Sequence, residues 1–110
     1  MEMPVASGFD WDSGNSAKCR RHGVLEADIE ALFRREVWVV PDPAHSASEV
    51  RFRAVGRASS GRHIFVAFTL RRRHGSVLIR PISARFMHRK EVRHYEEQKA
   101  ATEKAARARE

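Results

Sequence analysis

Four arginines stand at strand-like spacing in two short segments: Arg51 and Arg53 in "EVRFRAVG", Arg80 and Arg85 in "LIRPISARF". A guanidinium is a planar fork of N–H donors that matches two phosphate oxygens at once. Several on one surface would bind a phosphate backbone. Such a face suits a polyanionic partner, and Arg51, Arg53, Arg80 and Arg85, with Ser83 among them, are its candidate phosphate contacts.

Other chemistries find less support. The six histidines form no spaced pair such as HxxxH beside a carboxylate, and Cys19 stands alone, so no metal site is expected. No glycine-rich phosphate loop or nucleotide motif is present, and no cofactor is expected. One cysteine also rules out an intrachain disulfide, which suits a reducing compartment. No apolar run approaches the roughly 18–20 residues of a membrane span, and "MEMPVASG" lacks the charged and apolar regions of a signal peptide. A cytoplasmic protein with no membrane partner is the expectation.

The net charge of +7 is unevenly spread. Residues 1–50 hold 5 Lys/Arg against 9 Asp/Glu, residues 51–95 hold 12 against a single acid (Glu91), and residues 96–110 balance at 4 each. Arginine supplies 17 of the 21 basic residues, which favours a phosphate-bearing partner over generic solubility.

The elements that must position these arginines follow from periodicity. A chain of 110 residues suits one domain with one modest core. Residues 1–8 read as a flexible arm, "FDWD" (9–12) as a short extended piece, and 13–22 as a short helix. In "VLEADIEALFRRE" (24–36), Leu25, Ile29, Leu32 and Phe33 recur at helical spacing. Four strand-like runs follow, over 37–40, 49–56, 63–70 and 76–84, with "RRRHG" (71–75) read as a loop. From Phe86 the pattern turns helical, and 98–110 is a polar Ala/Glu/Lys/Arg-rich tail, helical or disordered. The expected fold is α+β: N-terminal helices packed on a four-stranded antiparallel sheet, with a C-terminal helix.

The last strand contains a conflict. Val77 and Ile79 share one parity, Ile82 and Ala84 the other, and a regular strand cannot bury both pairs on one face. A bulge at Arg80–Pro81 would turn all four into the core, beside Val50, Phe52, Ala54, Ile64, Val66 and Phe68. Arg51, Arg53, Arg80, Ser83 and Arg85 would then share the open face, with His63 nearby.

"FDWD", "RRHGV", "DPAHSASEVRF.AVG", "LIRPISAR" and the "E...Y" behind it, in this order, resemble the BrnT toxins over about Phe9–Glu97. The resemblance implies a RelE-like fold and the toxin half of a type II toxin–antitoxin system. It implies a ribonuclease that arrests translation, held in a hetero-oligomer by a BrnA-like antitoxin with a ribbon-helix-helix DNA-binding region. Trp11, Asp12, His22 and Gly23 match at the front, then Arg51, then Arg80, Ser83 and Arg85, then Glu91 and Tyr95. The interval before "HG" is shorter than in many relatives and reads "SGNSAKCRR", with Lys18 standing in for a lysine there. The family's "EERF" acid pair is reduced to Glu49 followed by Val50. RNA cleavage without a metal, as the resemblance implies, needs positive charge on the pentacoordinate phosphate, a base to take the 2′-OH proton and an acid to protonate the leaving 5′-oxygen. Arg80 is the first candidate for the charge, with Arg51 and Arg85 behind it, and Arg53 and Ser83 are further RNA contacts. His22 could serve as acid or base, or only hold a helix entrance. Glu91 and Tyr95 could contribute a proton, or anchor the last helix. Lys18 and Arg89 are candidate RNA contacts. Trp11 and Trp38 read as core or interface residues. Two other functions fit the same basic face: a non-catalytic nucleic-acid-binding module, and a basic interaction subunit of a protein complex.

Overall fold

The computed structural model describes residues 6–45 and 48–109. Its strands are β1 (Gly8–Phe9), β2 (Trp38–Pro41), β3 (Arg51–Arg57), β4 (His63–Arg73) and β5 (Ser76–Phe86). Its helices are α1 (Ser13–Arg20), α2 (Glu26–Phe33) and α3 (Arg89–Ala108), with a 3-10 turn at Pro43–His45. The strands form one sheet in the order β1-β5-β4-β3-β2. The four expected strands are antiparallel neighbours, but the sheet is mixed, because β1 adds a fifth strand parallel to β5. That pairing begins inside the expected N-terminal arm: Ser7 N–H donates to Val77 O, and Gly8 pairs with Leu78. Residues 1–5 of the arm lie outside the described residues.

Each helix begins where its sequence supplies a cap. Asp12 is the N-cap of α1: its carboxylate accepts Asn15 N–H at 3.0 Å, while the Asn15 side chain accepts Asp12 N–H at 2.8 Å. In α2 and α3 an acid in the first turn reaches back to the N-cap backbone, Asp28 to Leu25 N–H and Glu91 to His88 N–H. α3 runs unbroken through most of the polar tail, whose residues 100–109 are exposed.

α1 and α2 cover one face of the sheet. Cys19, Val24, Ile29 and Leu32 meet Phe52, Ala54, Ile64, Val66, Phe68, Ile79 and Ala84 in the core. Phe68 sits at its middle, stacked on Phe52 and edge-on to Phe33. Gly56 lets α2 approach β3 closely, since a Cβ there would lie 2.8 Å from Leu32 Cδ1.

Three core expectations are corrected. Val77 is only half-buried and lies outside the core. Val50 is 62% exposed, because β3 starts one residue later and the helices do not reach beyond it. The bulge in β5 lies one residue past the expected place. Phe68 pairs with Pro81 and Ala67 with Ser83, which leaves Ile82 as the extra residue. Pro81 is therefore the fully buried core residue, alongside Ile79 and Ala84, while Ile82 is only half-buried. Proline is tolerated there because Pro81 lies just beyond the stretch paired with β1, where a missing N–H costs no ladder bond on that side. Its carbonyl accepts the Asn15 side-chain amide at 2.8 Å in a buried bond. The segment 71–75, expected to be a loop, is mostly strand. β4 and β5 pair through Arg73 and Ser76, so the turn is only His74-Gly75, both at positive φ, as a tight hairpin requires.

Gly56→Ala should destabilise the fold by about 1–3 kcal/mol through overpacking against Leu32. Urea denaturation checks it. Adding Leu32→Ala should cost less than the two single changes summed, because the second removes the first one's clash. An unshifted midpoint in Gly56→Ala would show that α2 is not seated on β3.

Candidate nucleic-acid interface

The face opposite α1 and α2 carries the arginines in cross-strand rows. Arg51 pairs with Thr69 and Thr69 with Arg80; Arg53 with Ala67 and Ala67 with Ser83; Val55 with Phe65 and Phe65 with Arg85. The bulge makes this possible, because it keeps Arg80 and Arg85 on one face although they differ in parity. β4 contributes only Thr69 and Ala67 between the arginines of the first two rows. These small side chains leave a trough between β3 and β5. Thr69 is buried, and its hydroxyl donates to Val50 O at 2.7 Å.

The candidate residues gather in two clefts. In the first, of about 440 Å³, Lys18 of α1 joins Arg51 of β3 and Arg80 of β5. Asp12 and Glu49 are the carboxylates lining it, and Ile82 of the bulge forms part of its wall. Arg80 is 20% exposed and held from two sides: Nη2 lies 2.8 Å from Asp12 Oδ2, and Nη1 lies 3.6 Å from Asp10 Oδ2. Arg73 shares Asp10 at 3.2 Å, and Arg71 engages Glu49 at 3.3 Å. The Asn15 N–H, and after it the Arg80 guanidinium, hold the Asp12 carboxyl below the usual range. Asp12 therefore stays charged, orienting Arg80 while capping α1.

The second cleft, of about 450 Å³, lies where α3 crosses the open face and includes Arg53, Arg85, Glu91 and Tyr95. Arg85 makes two 2.7 Å hydrogen bonds to Glu91, one to each oxygen, and its guanidinium lies 5.0 Å from the Phe65 ring centre. Arg85 holds the Glu91 carboxyl down to about 2, with the His88 N–H as the second cause. Glu91 accordingly does structural work here, joining the first turn of α3 to β5. Tyr95 is buried edge-on to Trp38 at 5.2 Å and lies 5.9 Å from His63, so it seats α3 on the sheet. His63 faces α3, 3.9 Å from Glu96, and burial pushes its pKa below the ordinary value.

The other candidates lie apart from these clefts. His22 is exposed in the turn after α1 and lines neither. Ser83 is half-buried in the middle row, and Arg89 is exposed at the start of α3. Trp11 is half-buried against the core, with Nε1 donating to Glu30 at 3.0 Å. Sequence reasoning missed Asp10, Asn15 and Glu49. The first two had a signal in the capping pattern "DSGN" and in the acid two residues before Asp12. Glu49 opened the expected strand 49–56, two residues before Arg51, where β3 begins. Among the described residues, no helix is long and apolar enough to cross a membrane.

The open sheet face carries arginines, and the terminal helix lies across it. Residues 11–91 match the family described as the ribonuclease toxin BrnT of type II toxin–antitoxin systems. The chain belongs to the BrnT family. Among curated proteins none matches it at a significant level. The matched span begins at Trp11, beside the Asp12 cap, and ends at Glu91, the partner of Arg85. It thus covers the Arg80–Asp12 and Arg85–Glu91 pairs of this BrnT chain and stops before most of α3.

The Arg85–Glu91 pair makes stability depend on pH in a definite direction. The Glu91 pKa is depressed in the fold from an ordinary 4.5 to about 2. The pair therefore stabilises the fold fully above about pH 4.5, and that contribution is lost as pH falls toward about 2. Glu91→Gln should melt below the parent at neutral pH, and the gap should close on acidification through this window. A gap that stays constant across the whole pH range would contradict the assigned pairing.

Proposed function

We propose that this BrnT toxin is a metal-independent endoribonuclease of the mRNA interferase type, which arrests translation in the cytoplasm. The observation that carries the reading is the convergence of Lys18, Arg51 and Arg80, from three separate elements, on one cleft. In this reading the scissile phosphate lies in that cleft. Arg51 and Arg80 stabilise the charge on its equatorial oxygens, and Lys18 holds the adjacent backbone. Asp12 is committed to Arg80 and to the α1 cap, so in this reading Glu49, the other carboxylate lining the cleft, gives up its contact with Arg71 to take the 2′-OH proton. Attack of that oxygen on phosphorus expels the 5′-oxygen, which takes up a proton and leaves a 2′,3′-cyclic phosphate. Arg85, locked to Glu91, acts as a fixed wall of the second cleft. Arg53 and Arg89 guide the strand electrostatically, and the Ser83 hydroxyl can hydrogen-bond it. His22 has no role in the chemical step in this reading.

A basic face of this kind would bind RNA indiscriminately unless covered. We therefore expect a BrnA-like antitoxin with a ribbon-helix-helix region to present acidic residues to the Arg51–Arg85 face in a hetero-oligomer.

Induction of the chain alone in bacteria should halt growth and fragment RNA, and co-expression of the antitoxin should restore growth. Arg80→Ala should lower RNA cleavage by about 10²–10³, with the thermal melt showing a folded protein. Arg80→Lys should recover only part, since an ammonium lacks the fork. Arg62 packs on the Phe86 ring away from both clefts, so Arg62→Ala should cleave like the parent. If Arg80→Ala stays fully active while Arg62→Ala does not, the cleft is misassigned. Salt-sensitive RNA binding without cleavage would leave a binding module instead.

A further inference from the structure

The second cleft differs in kind from the first. Trp38, Val55, Phe65 and Tyr95 give it an apolar wall, and Arg53 and Arg85 enter it beside the carboxylates Asp42 and Glu91 and the imidazoles His45 and His94. Pockets that enclose small aromatic ligands have this make-up: a few hundred cubic ångströms, apolar walls and a small number of fixed polar groups. Arg85 is one of those fixed groups. Phe65 lies on one side of its guanidinium, Glu91 binds it through both carboxylate oxygens, and its side chain is still 40% exposed. A guanidinium plane held this way is a stacking platform for a planar ring. The two clefts neighbour each other along β3. Arg53 lies two residues from Arg51 on β3, so a strand whose phosphate sits at Arg51 and Arg80 would pass directly by it.

We infer that the cleft formed by Trp38, Phe65 and Tyr95 around the Arg85–Glu91 pair is a nucleobase site. It receives an unstacked base of a single RNA strand whose backbone lies on Arg51 and Arg80. The inference rests on the RNA-binding reading above and adds to it a place for the base. Charge selects this occupant over an aromatic side chain of a protein partner, because the rim of the cleft leads into a row of arginines suited to phosphates. Removing base stacking from such a platform weakens binding roughly tenfold or more.

The test uses the full chain and a 2′-O-methyl RNA strand, which cannot be cleaved because the attacking hydroxyl is blocked. Its affinity is compared with that of an abasic strand of equal length and charge. The base-bearing strand should bind roughly tenfold more tightly, and both Phe65→Leu and Arg85→Lys should narrow that gap. Equal affinity for the two strands overturns the proposal, as does a gap that neither substitution touches. A second measurement covers a variant that fails to fold. In Trp11→Phe, which leaves Trp38 as the only tryptophan, nucleoside monophosphates should quench emission and ribose 5-phosphate should not. No quenching, or equal quenching, overturns the base site. So does a cleft that an antitoxin residue fills while nucleotides fail to compete. Base-dependent binding by a chain that cleaves no RNA supports the base site and counts against the ribonuclease reading alone.

Discussion

Everything on the open face depends on one extra residue in β5. Were Ile82 paired in the ladder like its neighbours, Arg80 and Arg85 would lie on opposite faces of the sheet, and Ile79 and Ala84 could not share the core. The bulge reconciles two demands on one strand: apolar contact with the helices on one side, and arginines on the other. It is held in place from outside the sheet by Asn15, whose amide donates to the carbonyls of both Pro81 and Asp10. The same Asn15 closes the α1 cap with Asp12, and Asp12 grips Arg80. A single hydrogen-bonded joint thus fixes the start of α1, the bulge and the leading arginine of the site.

The arginines of the open face do two kinds of work. Arg80 and Arg85 are each tied to carboxylates, which restrains long side chains that would otherwise lose rotamer freedom on binding. The ties also lower the net positive charge of the face, so the charge count of residues 51–95 overstates what a polyanion would meet. In this account Arg80 gives up some field strength for a fixed direction, while Lys18 supplies a compact charge from the neighbouring helix. An electrophilic cleft with carboxylate second partners suits a transition state that gathers charge at one phosphate.

Much of this was legible in the sequence, and the reasons differ by element. The alternation in "EVRFRAVG" and "HIFVAFTL" identified β3 and β4 and their core faces, because a sheet covered on one side forces that pattern. The parity conflict in "SVLIRPISA" announced a bulge, but proline drew the expected position one residue too early. Pro81 proved apolar enough to take a core place, while Ile82 was displaced by the Asn15 joint. β1 was hidden, since two residues carry no periodicity and only their bonds to β5 define the strand. The arginines of the site could be named from their types and spacing. Their carboxylate partners could not, because Arg80 and Asp12 are 68 residues apart and meet only through tertiary structure.

The central claim is that an RNA backbone lies across Lys18, Arg51 and Arg80, and the salt dependence of RNA binding tests it most directly. For a single strand, each phosphate contact contributes about 0.7 to the slope of log affinity against log salt concentration. Lys18→Ala and Arg51→Ala should each reduce the parent's slope by about that amount, with Arg62→Ala leaving it unchanged. Slopes that stay at the parent value in both variants, with affinity falling only in proportion to lost stability, would contradict the account.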